Sequence, residues 1–195
     1  TVGGTLSATA VLGGITDAGV LTITGASAFT TNADGVAILF NENHAFTGAV
    51  TITTNDSSGS DSDATISAGS VARLRFAAST IDGNLIVTSS NATGISQLGA
   101  LTVLGTSSFT TSANNATIVL NTTTNAFTGA VTITTNDDSG TDADVTIDGG
   151  TTALILAAST IDGDLTLTSG HASGITDSGT VTVGGNLAAI TDDHN

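Results

Sequence analysis

AFTGAVTITTND, Ala45 to Asp56, returns letter for letter at Ala126 to Asp137. Taken alone, the phrase is a turn at Gly48 followed by strict alternation of apolar Val50 and Ile52 with polar Thr51 and Thr53. Period-two alternation in Val, Ile and Thr, bounded by Gly, Asn and Asp, reads as a short β-strand. Successive strand side chains point to opposite faces, so Val50 and Ile52 go inward and Thr51 and Thr53 outward, with Val131, Ile133, Thr132 and Thr134 repeating the split. Taken as a pair, the two copies make the chain a repeat of strands, and that decides the fold.

The repeat extends well beyond the phrase. AASTIDG occurs at Ala77–Gly83 and again at Ala157–Gly163, Phe29 is answered by Phe109, Asn41 by Asn121, and Ile15 by Ile95 and Ile175. The spacing is 80 residues, rising to 81 where NENHAF is answered by the longer NTTTNAF. This divides one continuous unit into a partial repeat 1–14, repeats 15–94 and 95–174, and a partial repeat 175–195. Inside each repeat smaller echoes recur, ITDAGVLTI from Ile15, IDGNLIV from Ile81 and IDGDLTL from Ile161, each a turn followed by alternation. Helical spacing is not evident. Short strands between tight turns, repeating without helices, fit an all-β parallel β-helix better than a sandwich or a propeller. Aligning Leu85, Phe109, Val131 and Leu165 predicts three coils per repeat, with the longest step carrying an acidic loop. The whole chain then makes roughly seven coils, a rod about 35 Å long at about 4.8 Å per layer.

Composition narrows the function classes. The chain has 195 residues and 17 Asp+Glu against two Lys+Arg, a formal charge of -15. Neutralising phosphates takes Lys and Arg, so nucleic acid and anionic membrane surfaces are not expected partners. No run approaches the roughly 18 apolar residues of a membrane-spanning segment. With no Cys, disulfides, zinc thiolates and thiol catalysis are excluded, and six Phe as the whole aromatic complement leave little for stacking sugars or bases. The chain opens on Thr1 without a basic, apolar leader, which suggests a mature product or a piece of a longer chain.

The runs GNLIVTSSNATGISQLGALTVLGTSSFT, Gly83 to Thr110, and GDLTLTSGHASGITDSGTVTVGGNL, Gly163 to Leu187, resemble the coils of filamentous haemagglutinin-type exoproteins. The resemblance covers nearly the whole chain. It implies a right-handed parallel β-helix in a large secreted or surface-displayed protein acting in adhesion, biofilm matrix or contact-dependent competition.

Two acidic loops are the most pointed chemical feature: NDSSGSDSDATI from Asn55 and NDDSGTDADVTI from Asn136. Closely spaced Asp, Asn and Ser oxygens around a flexible Gly suit a hard cation such as calcium. The candidate ligands are Asp56, Asp61 and Asp63 in the first loop, and Asp137, Asp138, Asp142 and Asp144 in the second. The alternative is a solvated loop that keeps the surface soluble. Asp82, Asp148, Asp162 and Asp164 read as turn formers. The outward Thr pairs, Thr22/Thr24, Thr51/Thr53, Thr132/Thr134 and Thr166/Thr168, invite an ice- or polysaccharide-binding reading, although Thr is also the ordinary solvent-face residue of a strand. Arg73 and Arg75 flank Leu74 and predict an electrostatic contact with an acidic neighbour; Ala153 and Ile155 replace them in the next repeat.

Catalysis is not expected. His44, His171 and His194 have no Ser or carboxylate at a meaningful spacing and read as loop residues, while a β-helix lyase or glycosidase would need a basic residue beside a cation, or carboxylates facing a sugar cleft. Both ends, TVGGTLSATA and VGGNLAAITDDHN, look like ordinary coil sequence with no cap. Unpaired strand edges add further strands. The expected partners are covalent neighbouring repeats or other copies of the chain, with cell-surface or matrix glycans as a further candidate.

Overall fold

The computed structural model describes residues 1–55, 59, 61–136 and 142–191. Its 23 strands fall into two parallel sheets, one of twelve strands and one of eleven, and among the described residues there is no helix. The chain is a parallel β-solenoid of about eight turns. It crosses from one sheet to the other at each half-turn and returns one layer higher.

The register shows how the turns add up. Leu6 lies under Ser27 and Ser27 under Val50 on the twelve-stranded sheet; Ala64, Leu85, Ser107 and Val131 stack on the eleven-stranded sheet. Stacked partners are separated by 20 residues (Val145 to Leu165) to 27 residues (Ile118 to Val145). From Ile15 one repeat passes through Ile15–Thr16 with Thr22–Ile23, then Ser27–Thr31, Ile38–Phe46, Val50–Thr53, Ala64–Ala68, Leu74–Phe76 with Ser79–Ile81, and Leu85–Ser89. These are seven half-turns, beginning and ending on the eleven-stranded sheet, so each repeat makes three and a half turns rather than three. The next repeat therefore starts at Ile95 on the other sheet. The 34-residue step from Val131 to Leu165 does not exist: Val131 pairs with Leu156 on one sheet and Leu165 with Val145 on the other.

Alternation does what the sequence pattern requires. Val50, Ile52, Val131 and Ile133 are fully buried, and the threonines between them face outward. All six phenylalanines are buried in one continuous core. Phe29 meets Phe40 edge-on with ring centroids 4.5 Å apart, and Phe109 meets Phe127 at 6.1 Å. Edge-to-face contacts of this kind add to the burial term because each ring's positive edge meets the negative face of its neighbour.

The repeated words AAST and IDG mark two structural joints. At Ala77–Ala78 the strand breaks and bends, and the Ser79 hydroxyl accepts the Ile52 N–H at 3.0 Å while donating to the Ala77 carbonyl at 2.9 Å, so the bend leaves neither group unpaired. Ser159, Ile133 and Ala157 repeat the arrangement. Beyond the IDG word the corner is built from stacked glycines. Gly105 N–H donates to the Gly83 carbonyl at 3.0 Å, and Gly129 N–H to the Gly105 carbonyl at 3.2 Å. A Cβ on Gly105 would lie 2.5 Å from Gly83 O, so backbone stacks directly on backbone there.

Candidate metal centre

Three carboxylates converge where the first acidic loop enters the sheet. Asp34, Asp61 and Asp82 come from three different passes of the chain, and one oxygen of each lies within 4.8 Å of the others. Asp34 and Asp61 are exposed; Asp82 is fully buried. The left-handed residue Gly35, φ 64°, follows Asp34 and turns the chain away beside Asp61. Asp82 Oδ2 accepts the N–H groups of Asp61 at 3.2 Å and Ser62 at 3.4 Å, and its own N–H donates to Thr54 Oγ1 at 2.8 Å. Its other oxygen, Oδ1, is buried and has no hydrogen-bond partner among the described residues, and the same holds for the buried hydroxyl of Ser62. An all-oxygen set of this kind could hold a hard metal ion.

The second repeat builds the same corner with different groups. Asp162 Oδ2 accepts the Asp142 N–H at 3.3 Å, and Asp162 N–H donates to Thr135 Oγ1 at 2.8 Å, as Asp82 does with Asp61 and Thr54. Asp34–Gly35 is replaced by Asn114–Asn115, and Asn115 keeps the left-handed conformation at φ 60°. With its amide nitrogen turned to the carboxylate, Asn115 donates to Asp142 Oδ1 at 2.6 Å and also reaches Oδ2. Ser62 is replaced by the fully buried Ala143.

Of the residues expected from the sequence to bind calcium, Asp61 stands in the cluster and Asp142 is held by Asn115. Asp63 and Asp144 stand instead in a ladder along the corner. Asp63 Oδ1 accepts the Asn84 backbone N–H at 2.6 Å, and Asn84 Oδ1 accepts that of Thr106 at 2.8 Å; Asp144, Asp164 and Asn186 repeat the chain. Asp56, Asp137 and Asp138 lie outside the described residues. Asp34 and Asp82 were not among the expected ligands. Comparing the two repeats was the signal that could have found Asp34, since Asn114 answers it while Asp61 and Asp82 are answered by the acids Asp142 and Asp162.

Other expected features resolve differently. Among the described residues Arg73 donates to Thr117 Oγ1 at 3.0 Å and Arg75 to the Thr47 carbonyl at 2.9 Å, neutral partners on different rungs. His171 is an exposed loop residue whose Nδ1 accepts the Ser173 N–H, and His194 lies outside the described residues. His44 is not a loop residue. It is fully buried in the strand Ile38–Phe46, where the register shifts between Phe40 and His44. Its Nδ1 accepts the Leu21 N–H at 2.9 Å and its Nε2 faces Asp17 at 3.6 Å, with burial holding its pKa below the ordinary imidazole value against the weaker pull of Asp17 and Glu42.

Stacked parallel rungs with an acidic cluster at one loop define a β-solenoid repeat protein. The chain belongs to DUF5649, a family of repeats of unknown function, whose model matches residues 1–53, 61–134 and 142–193. The two gaps between matched segments, 54–60 and 135–141, fall on the first halves of the acidic loops. No curated protein and no solved structure matches the chain.

Proposed function

We propose that the chain is an extracellular structural rod, a stalk or spacer of a surface exoprotein of the filamentous haemagglutinin type or a subunit of an extracellular filament. The supporting observation is the continuous stack of parallel rungs: from Leu6–Ala10 to Leu187–Thr191 the strands pair layer upon layer in two sheets, and the aliphatic and phenylalanine side chains between them form one core. A stack in which each repeat contacts its neighbours gains length with every repeat it carries.

Electron microscopy of the purified chain tests this reading, with rods about 40 Å long expected from about 4.8 Å per layer. Inserting one further copy of residues 95–174 in frame should lengthen the rod by about 17 Å; a separate globule beside an unchanged rod would overturn the proposal. Fractionation of cells expressing the natural protein tests its location, and recovery only from the cytoplasm would remove the extracellular part.

A second reading rests on one row of hydroxyls. Ser67, Thr88, Thr110, Thr134, Thr160 and Thr182 stack in consecutive rungs on the eleven-stranded sheet. A regular Thr row is a surface for ordered water or a polysaccharide, and inhibition of ice recrystallisation that is lost in T110K/T134K would favour it.

A further inference from the structure

We propose that Asp34, Asp61 and Asp82 bind one hard divalent cation of the calcium class, and that the second repeat has replaced this ion with the amide of Asn115. The argument starts from Asp82. A fully buried carboxylate with an oxygen left without a partner is costly, and two further carboxylates within 4.8 Å add mutual repulsion. Among the described residues the two arginines donate to neutral partners, Arg73 to Thr117 and Arg75 to Thr47, and the chain has no other Lys or Arg.

The second repeat is an internal control. It keeps the buried Asp162 and the loop carboxylate Asp142, yet it brings two amide N–H contacts to Asp142 and removes the third acid. It also converts Ser62, whose buried hydroxyl has no partner among the described residues, into Ala143. Among the described residues, the changes at Asp34 and Ser62 remove a carboxylate and a hydroxyl that suit a cation, and the change from Gly35 to Asn115 adds an amide that makes one unnecessary. Size fits too. Oxygens within 4.8 Å of one another can surround a calcium ion, whose ligands stand at about 2.3–2.6 Å, and its irregular, flexible coordination suits carboxylates brought from three passes better than the near-ideal octahedron magnesium demands. With three carboxylates and the remaining positions left to other oxygens, the affinity belongs with that of extracellular calcium modules, Kd about 10⁻⁴–10⁻³ M.

Titration calorimetry and thermal melting of the full chain with calcium chloride, with magnesium chloride in parallel, test the proposal. One calcium per chain is expected, with a rise in Tm that a chelator reverses. D34N should weaken calcium binding at least about tenfold, read in the calorimetric titration and as a smaller calcium-dependent rise in Tm. N114D/N115G should raise the stoichiometry from one to two. No heat and no change in melting with either ion would overturn the site. So would binding undiminished in D34N, or equal heats from both ions that D34N leaves intact, which would mean only screening of a charged surface. Two calcium ions bound by the natural sequence, or no second ion bound by N114D/N115G, would overturn the assignment of Asn115 as the ion's replacement.

Discussion

His44 and Asn125 occupy the same place in successive repeats, and each accepts the backbone N–H of the residue that stands below it in the previous rung: Leu21 N–H to His44 Nδ1 and Leu101 N–H to Asn125 Oδ1, both at 2.9 Å. Their partners change together. Gln97 and Asn125 exchange two amide hydrogen bonds, at 2.8 and 3.1 Å, and Asn125 also donates to the carbonyls of Leu120 and Asp148. Asp17 and His44 stand 3.6 Å apart, and the facing atoms, Asp17 Oδ1 and His44 Nε2, have no hydrogen bond. One repeat holds this corner with groups that cannot titrate, the other with a pair that can.

This difference makes the first repeat acid-sensitive. Because Nδ1 accepts a hydrogen bond, His44 is neutral with its proton on Nε2, and protonation of Nδ1 would break the bond from Leu21. Burial lowers its folded-state pKa below the unfolded value near 6.5, outweighing Asp17 and Glu42, which raise it. The folded chain therefore binds fewer protons than the unfolded one in that window. Stability contributed by His44 is complete above about pH 6.5 and is lost as the pH falls toward the folded-state pKa, at up to about 1.4 kcal/mol per pH unit. Melting curves from pH 7.5 to 5 should fall more steeply for the natural chain than for D17Q/H44N, which copies the second repeat; parallel profiles would contradict the assignment.

Gly105 should not tolerate a side chain. The Cβ of G105A would meet the backbone of Gly83 as well as the side-chain oxygen of Asn84, and since the backbone cannot swing aside a rung has to shift, at a cost of about 1–3 kcal/mol. Denaturant unfolding measures this, and Gly19, where a Cβ would meet nothing within 4 Å, serves as the control. A G105A chain as stable as G19A would mean that the corner is looser than its stacked amides indicate.

The phenylalanines divide into replaceable and irreplaceable ones. Leu120 in the second repeat stands where Phe40 stands in the first, and both are buried. F40L should therefore cost less than about 1.5 kcal/mol, while F109A, which empties a fully buried site against Phe127, should cost about 3–5 kcal/mol. Equal losses in chemical denaturation would show that the repeats do not share one packing scheme.

R75A should change stability by no more than about 1 kcal/mol, because its bond to the Thr47 carbonyl is exposed and a neutral residue, Ile155, serves in the same place one repeat later. A larger loss in the same unfolding assay would mean that Arg75 compensates charge that its contacts do not reveal.

The strands were legible in the sequence because alternation is a local signal: VTIT from Val50 fixes which side chains go inward without reference to anything else. The number of turns was not. An 80-residue period is compatible with any number of passes that fills it, and only the pairing of Val131 with Leu156 and of Val145 with Leu165 shows that the count is odd. The acidic cluster was half legible for the same reason. Asp61 lies in a conspicuous loop, whereas Asp34 and Asp82 reach it from neighbouring passes and look like isolated turn residues along the chain. The place of His44 was not legible, because burial of a lone imidazole depends on a register shift that no local pattern announces.

The half-integer winding gives the rod a screw symmetry: each repeat is turned halfway round the axis relative to its predecessor. Any ornament carried once per repeat, such as the acidic loop, alternates between opposite edges and returns to the same edge only after two repeats, about 34 Å along the axis. A curvature that one repeat imposes is reversed by the next, so an array of these repeats stays straight however long it grows.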